Sequence, residues 1–124
     1  LLLGSIIFLC FSSVVCNAAP VGKMETGYSV LEVVIFNTNK HVSDKTVIAL
    51  ANRVTPVLKK YPGFISRSFG ENANVPGQWI DVVKWKSLRD AVSAANRITS
   101  NNKMQRFMSV MNRYKMYHFN LNDE

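Results

Sequence analysis

The chain has 124 residues and carries 15 Lys and Arg against eight Asp and Glu, a formal net charge of +7. That length suits a single domain, and the basic residues are scattered rather than clustered, which argues against a dedicated polyanion or nucleic-acid site. Both cysteines, Cys10 and Cys16, fall within the first 19 residues, so the remainder has no disulfide framework and no thiol nucleophile.

Those first 19 residues carry no charge. The apolar run "LLLGSIIFLCFSSVV" and the small residues of "CNAAP" have the form of the hydrophobic core and cleavage region of a secretory signal peptide. No positively charged start and no initiator methionine precede the run, so the sequence is expected to be clipped at its beginning. Cleavage after Ala18 would set Cys16 and Ala18 at the two small-residue positions. This gives a leader over 1–18 and a polar lead-in over 19–27. A spanning anchor wants about 20 apolar residues, and Gly4, Ser5, Ser12 and Ser13 interrupt this run. The expected localisation is periplasmic or secreted, with the membrane touched only through the leader.

From Tyr28 the pattern becomes that of a packed domain. "YSVLEVVIFN" (Tyr28–Asn37) is rich in β-branched and aromatic residues and predicts a strand. Ser43 is placed to cap a helix, with Asp44 in its favourable first turn. Val47, Leu50, Val54, Leu58 and Tyr61 continue that helix at 3.6-residue spacing. Pro56 should kink it, and Pro62-Gly63 should stop it. Phe64–Gly70 and Gln78–Trp85 read as two strands of a hairpin joined by the turn-rich "ENANVPG".

Ser87 and Asp90 then have capping-box spacing, and Leu88, Ala91, Val92, Ala95 and Ile98 form a helical stripe. After "TSNN", the stripe Met104, Phe107, Met108 and Met111 predicts a short helix. Arg113–Leu121 is the last strand. The order strand–helix–strand–strand–helix–strand is the split βαβ of ferredoxin-like α+β folds, with one four-stranded antiparallel sheet. The first strand is apolar on both faces: Leu31, Val33 and Ile35 on one, Val30, Val34 and Phe36 on the other. One face needs a cover that two helical segments do not supply, and a second copy of the sheet is the simplest one. A homodimer packed sheet to sheet is therefore expected.

At this level of detail "YPGFISRSFGEN…GQWIDVVKWKSLRDAVSAA…MQRFM" resembles the antibiotic-biosynthesis-monooxygenase type of domain in the dimeric α+β barrel superfamily. The resemblance rests on Pro62–Phe64 opening the second strand, Trp85–Ser87 ending the third, and Phe107 in the later helix. It spans about Val30 to the end. It implies a domain over 28–124 and, in the enzymes of the family, cofactor-independent oxygenation of a small aromatic or quinol-type substrate. The alternative is a non-catalytic small-molecule-binding or interaction module on the same dimeric scaffold. Haem-degrading members share Asn37, but their tryptophan falls on or near Ala95 and their histidine near Met111. These departures argue against haem degradation.

Asn37, His118 and Asp81 are the candidate catalytic residues: Asn37 to hold an oxyanion, His118 or Asp81 to take a proton. Asp81 lies between Trp79 and Trp85 on one strand face, and a carboxylate buried there would be a candidate base. The blander expectation is an exposed Asp81 paired with Arg67 on the neighbouring strand. Trp79, Trp85, Phe107 and Met111 are expected to line a substrate pocket, with Trp85 first of all a packing residue at its strand–helix joint. His41 and His118 are isolated from other ligand-type side chains, which is not a metal-site pattern.

Overall fold

A computed structural model describes residues 28–122; the expected leader and its cleavage point lie outside them. The elements are β1 (Val30–Thr38), α1 (Asp44–Leu58), β2 (Phe64–Glu71), β3 (Gln78–Trp85), α2 (Leu88–Ile98), α3 (Asn102–Met108) and β4 (Met111–Asn120). The strands form one sheet in the order β2-β3-β1-β4, with every neighbouring pair antiparallel. This is the ferredoxin-like arrangement the element order predicts.

The capping signals act as read. The Ser43 hydroxyl accepts the Thr46 N–H at 3.2 Å, and the Ser87 hydroxyl accepts that of Asp90 at 3.1 Å. Each cap satisfies a donor that a helix start leaves open. Pro56 stands inside the last turn of α1, where its missing N–H removes a single helical bond, and the helix continues to Leu58. Gly63 turns the chain into β2 with φ +84°, and a Cβ there would collide with the Asp90 side chain.

Two helix ends differ: α1 stops at Leu58, short of Tyr61 in its expected stripe, and α3 stops before Met111. Met111 belongs to the sheet, paired with Thr38, rather than to the preceding helix. Ser109 closes α3 by donating its N–H to the Gln105 carbonyl and its hydroxyl to the Arg106 carbonyl. The apolar period runs straight across this stop, so spacing alone did not reveal it.

All three helices cover the same face of the sheet. Val30, Phe36, Trp79, Val83 and Trp85 meet Val47, Ala51, Val54, Ala91, Ala94, Ile98 and Phe107 in one core. The opposite face carries Leu31, Val33 and Ile35 of β1, in register with Phe119, Tyr117 and Lys115 of β4. Ile35 and Ile80, paired across β1 and β3, are 38% and 40% exposed, and Tyr117 and Phe119 are 44% and 51% exposed. Within one chain this face is uncovered, an apolar centre flanked by Lys84, Arg113 and Lys115.

Candidate functional site

Strand register sets the site. On the helix-facing side, Arg67, Val83, Glu32 and His118 form one row across the sheet, and Phe69, Asp81, Val34 and Met116 form the next. The two rows bring two carboxylates to adjacent strands one step apart, and both are 7% exposed. Burying a carboxylate without a partner is costly, and each has one.

Asp81 is held by Arg67. Nε donates to Oδ1 at 2.8 Å and Nη2 to Oδ2 at 2.6 Å, a two-pronged geometry that only a guanidinium supplies. Nη1 donates to the Ala51 carbonyl at 2.6 Å and the Thr55 hydroxyl at 2.9 Å. The guanidinium also lies 5.7 Å and 5.6 Å from the ring centres of Phe69 and Phe107. Arg67 thereby ties β2 to α1 through the core. The pairing with Asp81 is as expected; the exposure is not, because α1 closes over the pair.

Glu32 is bound differently. Its Oε2 shares a 2.8 Å hydrogen bond with Nε2 of His118 on the neighbouring edge strand, and the His118 side chain is 25% exposed. The dyad therefore runs from the interior towards solvent.

Over these rows lies a cavity of about 110 Å³. Glu32, Val34, Asp81, Val83 and Trp85 form its sheet side, and Val54, Leu58, Ala94, Ala95 and Ile98 its helix side. Met104, Met108, Met111 and Met116 complete the wall, with Thr99 and Tyr114 as hydroxyl-bearing neighbours. Every methionine among the described residues lines this one space. Unbranched thioethers make an adaptable apolar wall.

The expected site residues are distributed as follows. Asp81, Trp85 and Met111 line the cavity, and His118 reaches it through Glu32. Trp85 is fully buried and packs edge-to-face on Phe64 with ring centres 5.9 Å apart, so it is a core residue that also forms a wall. Trp79 and Phe107 do not line the cavity. Trp79 stacks on Phe69 at 5.2 Å, and Phe107 meets Phe36 and Phe69 at 5.6 Å and 5.8 Å, forming an aromatic cluster beside it. Asn37 alternates with Phe36 onto the uncovered face, level with Gln78 and Arg113. It does not converge with Asp81 or His118. Strand parity explains this: Asn37 is an odd number of residues from Glu32, and the pocket sits on the Glu32 side.

Glu32 itself was missed. Its signal was present in the sequence as a single acid inside the apolar run "VLEVVIF", on the parity that packs against helices. Among the described residues no group of three or more His, Cys, Asp or Glu side chains is placed to hold a metal ion.

No family model matches the chain, and no curated protein matches it by sequence. Solved structures do. SnoaB, a cofactor-independent oxygenase from Streptomyces nogalater, superposes with a TM-score of 0.67 at 11% identity, covering 79% of this chain and 97% of that one. A candidate antibiotic biosynthesis monooxygenase from Nitrosomonas europaea gives 0.66 at 11% identity, covering 79% and 94%. A dimeric ferredoxin-like protein of unknown function from Thermobifida fusca gives 0.64 at 11% identity, covering 77% and 93%. The fold is that of an antibiotic-biosynthesis-monooxygenase-like, ferredoxin-type domain. At such identities the likeness establishes the fold and leaves the chemistry to the site.

Proposed function

We propose that the domain binds a small, mainly apolar ring compound in the cavity above Glu32 and oxygenates it without a cofactor. The observation that carries this reading is a buried carboxylate, backed by a partly exposed histidine, on the floor of a mainly apolar space whose other carboxylate, Asp81, is held by Arg67. Such a carboxylate accepts a proton from a ring hydroxyl, and the His118 imidazole passes the proton towards solvent. The resulting electron-rich ring anion reacts with O₂ at the carbon para to the oxygen. Loss of water from the hydroperoxide leaves a second carbonyl there: phenol plus O₂ gives quinone plus water, the substrate supplying all four electrons. SnoaB, described as a cofactor-independent oxygenase, lends support by fold alone.

Asp81 takes no proton in this scheme, because Arg67 engages both of its oxygens. Its part is to hold the Arg67 strut beneath the cavity. A dimer through the uncovered sheet face belongs to the same proposal, supported by the paired apolar rows of that face and by the dimeric neighbour of the same fold. So does export, which rests on the sequence of residues 1–18.

The cavity's size favours a second reading. Sites for drug-sized ligands occupy about 300–1,000 Å³, well above the 110 Å³ found here, so a binding module that holds one small ring without turning it over fits the same space. Titrating the purified protein with single-ring phenols, by fluorescence of the cavity-lining Trp85 and by an oxygen electrode, separates the two. Saturable binding with O₂ uptake supports the oxygenase; binding without uptake supports the module. Neither signal would remove the cavity from consideration as a site.

A further inference from the structure

The fold gathers cations that the sequence leaves scattered. Of the 15 Lys and Arg, only Lys23 lies outside the described residues; of the eight acids, Glu25, Asp123 and Glu124 do. That leaves fourteen cations and five acids within them. Two of those acids, Glu32 and Asp81, are buried against His118 and Arg67. Only Asp44, Glu71 and Asp90 remain to set against thirteen cations. Where several cations meet on such a surface, their mutual repulsion opposes folding.

Three of them meet in one groove, as Arg113 and Lys115 do in a second depression on the other face. Arg53 of α1 and Lys103 and Arg106 of α3 line a depression of about 380 Å³ together with Asn102, with Leu50 as its apolar part. No acid lines it. Lys103 and Arg106 are three residues apart on one short helix, a spacing that sets like charges side by side at a cost. All three cations are exposed, and among the described residues none has an ion-pair partner. Two guanidinium forks and an ammonium lining one open groove suit the oxygens of phosphate or sulfate groups.

We infer that the α1–α3 groove is a binding site for a multiply charged phosphate or sulfate oxyanion, independent of the cavity above Glu32. The oxyanion bridges Arg53 and Arg106, with Lys103 contributing charge. A ligand that offsets three unpaired like charges also stabilises the α1–α3 contact. The same chemistry has two sources, a free oligophosphate or a sulfated polymer, and the test uses one probe for each.

Wild type is compared with the variant Arg53→Gln/Lys103→Gln/Arg106→Gln and with Lys59→Gln/Lys60→Gln/Lys86→Gln, which loses the same charge elsewhere. Pyrophosphate binding is read by calorimetry at low salt, and heparin binding by the salt needed for elution. The expected result is that at least one probe binds wild type saturably and loses about tenfold or more in affinity in the groove variant, while the other variant stays within about twofold. Pyrophosphate binding identifies a free anion as sufficient; heparin binding alone assigns the groove to polymer-borne groups. Equal losses in the two variants would reduce the effect to net charge and overturn the site, as would saturable binding of neither probe. The single variant Arg53→Gln, which leaves the α3 sequence unaltered, repeats the test should the triple variant lose its fold.

Discussion

Glu32 and His118 face each other across β1 and β4, Oε2 to Nε2 at 2.8 Å, and one partner is buried while the other reaches the surface. The pairing follows from register, since each residue is the other's cross-strand neighbour. Replacing Glu32 with the isosteric Gln keeps a hydrogen bond to His118 but removes the proton acceptor. On the oxygenase reading, O₂ uptake falls by about 10²–10⁴-fold with ligand binding retained. Measuring uptake and binding on the same Glu32→Gln sample checks this; unchanged turnover removes Glu32 from the chemistry.

Arg67 and Asp81 make the contrasting pair. Arg67→Met leaves a buried carboxylate with no cation, and breaking such a pair costs about 3–5 kcal/mol. Asp81→Leu on top of Arg67→Met removes the stranded charge and restores much of the loss. Urea unfolding of the two variants reads the difference directly. If the single variant unfolds at the wild-type midpoint, the pair is not the strut described here.

Trp85 occupies the joint between β3 and α2, fully buried against Phe64. Trp85→Ala is expected to cost about 3–5 kcal/mol of stability, through lost burial and the space left behind. The same unfolding measurement tests it, and a cost below about 1 kcal/mol would mean that the joint is held by other residues.

Much of this architecture was legible because local signals and tertiary demands agree. Ser43 and Ser87 cap the helices they were expected to cap, and the hairpin around "ENANVPG" forms. The site was less legible, for geometric reasons. A strand's two faces are both written in one apolar run, and nothing local says which face the helices will take. Asn37 was therefore grouped with His118 and Asp81 although the sheet separates them. Glu32 was passed over because a lone acid in such a run reads as an interruption until its partner, 86 residues away in sequence, is in place. The groove of Arg53, Lys103 and Arg106 was invisible for the same reason: contact between α1 and α3 creates it.

The uncovered sheet face makes its own prediction. Ile80→Glu puts a charge at the middle of the exposed apolar rows, at a position already 40% exposed in the protomer, so folding of the single chain should be little affected. A dimer of wild type that becomes a monomer in Ile80→Glu, by native mass spectrometry, is the expected outcome. A monomeric wild type would mean that this face is covered by something other than a second copy.

The most direct test of the central claim is isotopic. Metal-stripped protein is incubated under ¹⁸O₂ with a single-ring phenol that has a free para position, and the product is weighed by mass spectrometry. Cofactor-free oxygenation predicts a quinone carrying one ¹⁸O atom, formed at one O₂ consumed per substrate. Unlabelled phenol recovered from a saturated complex would contradict the oxygenase and leave the cavity as a binding site.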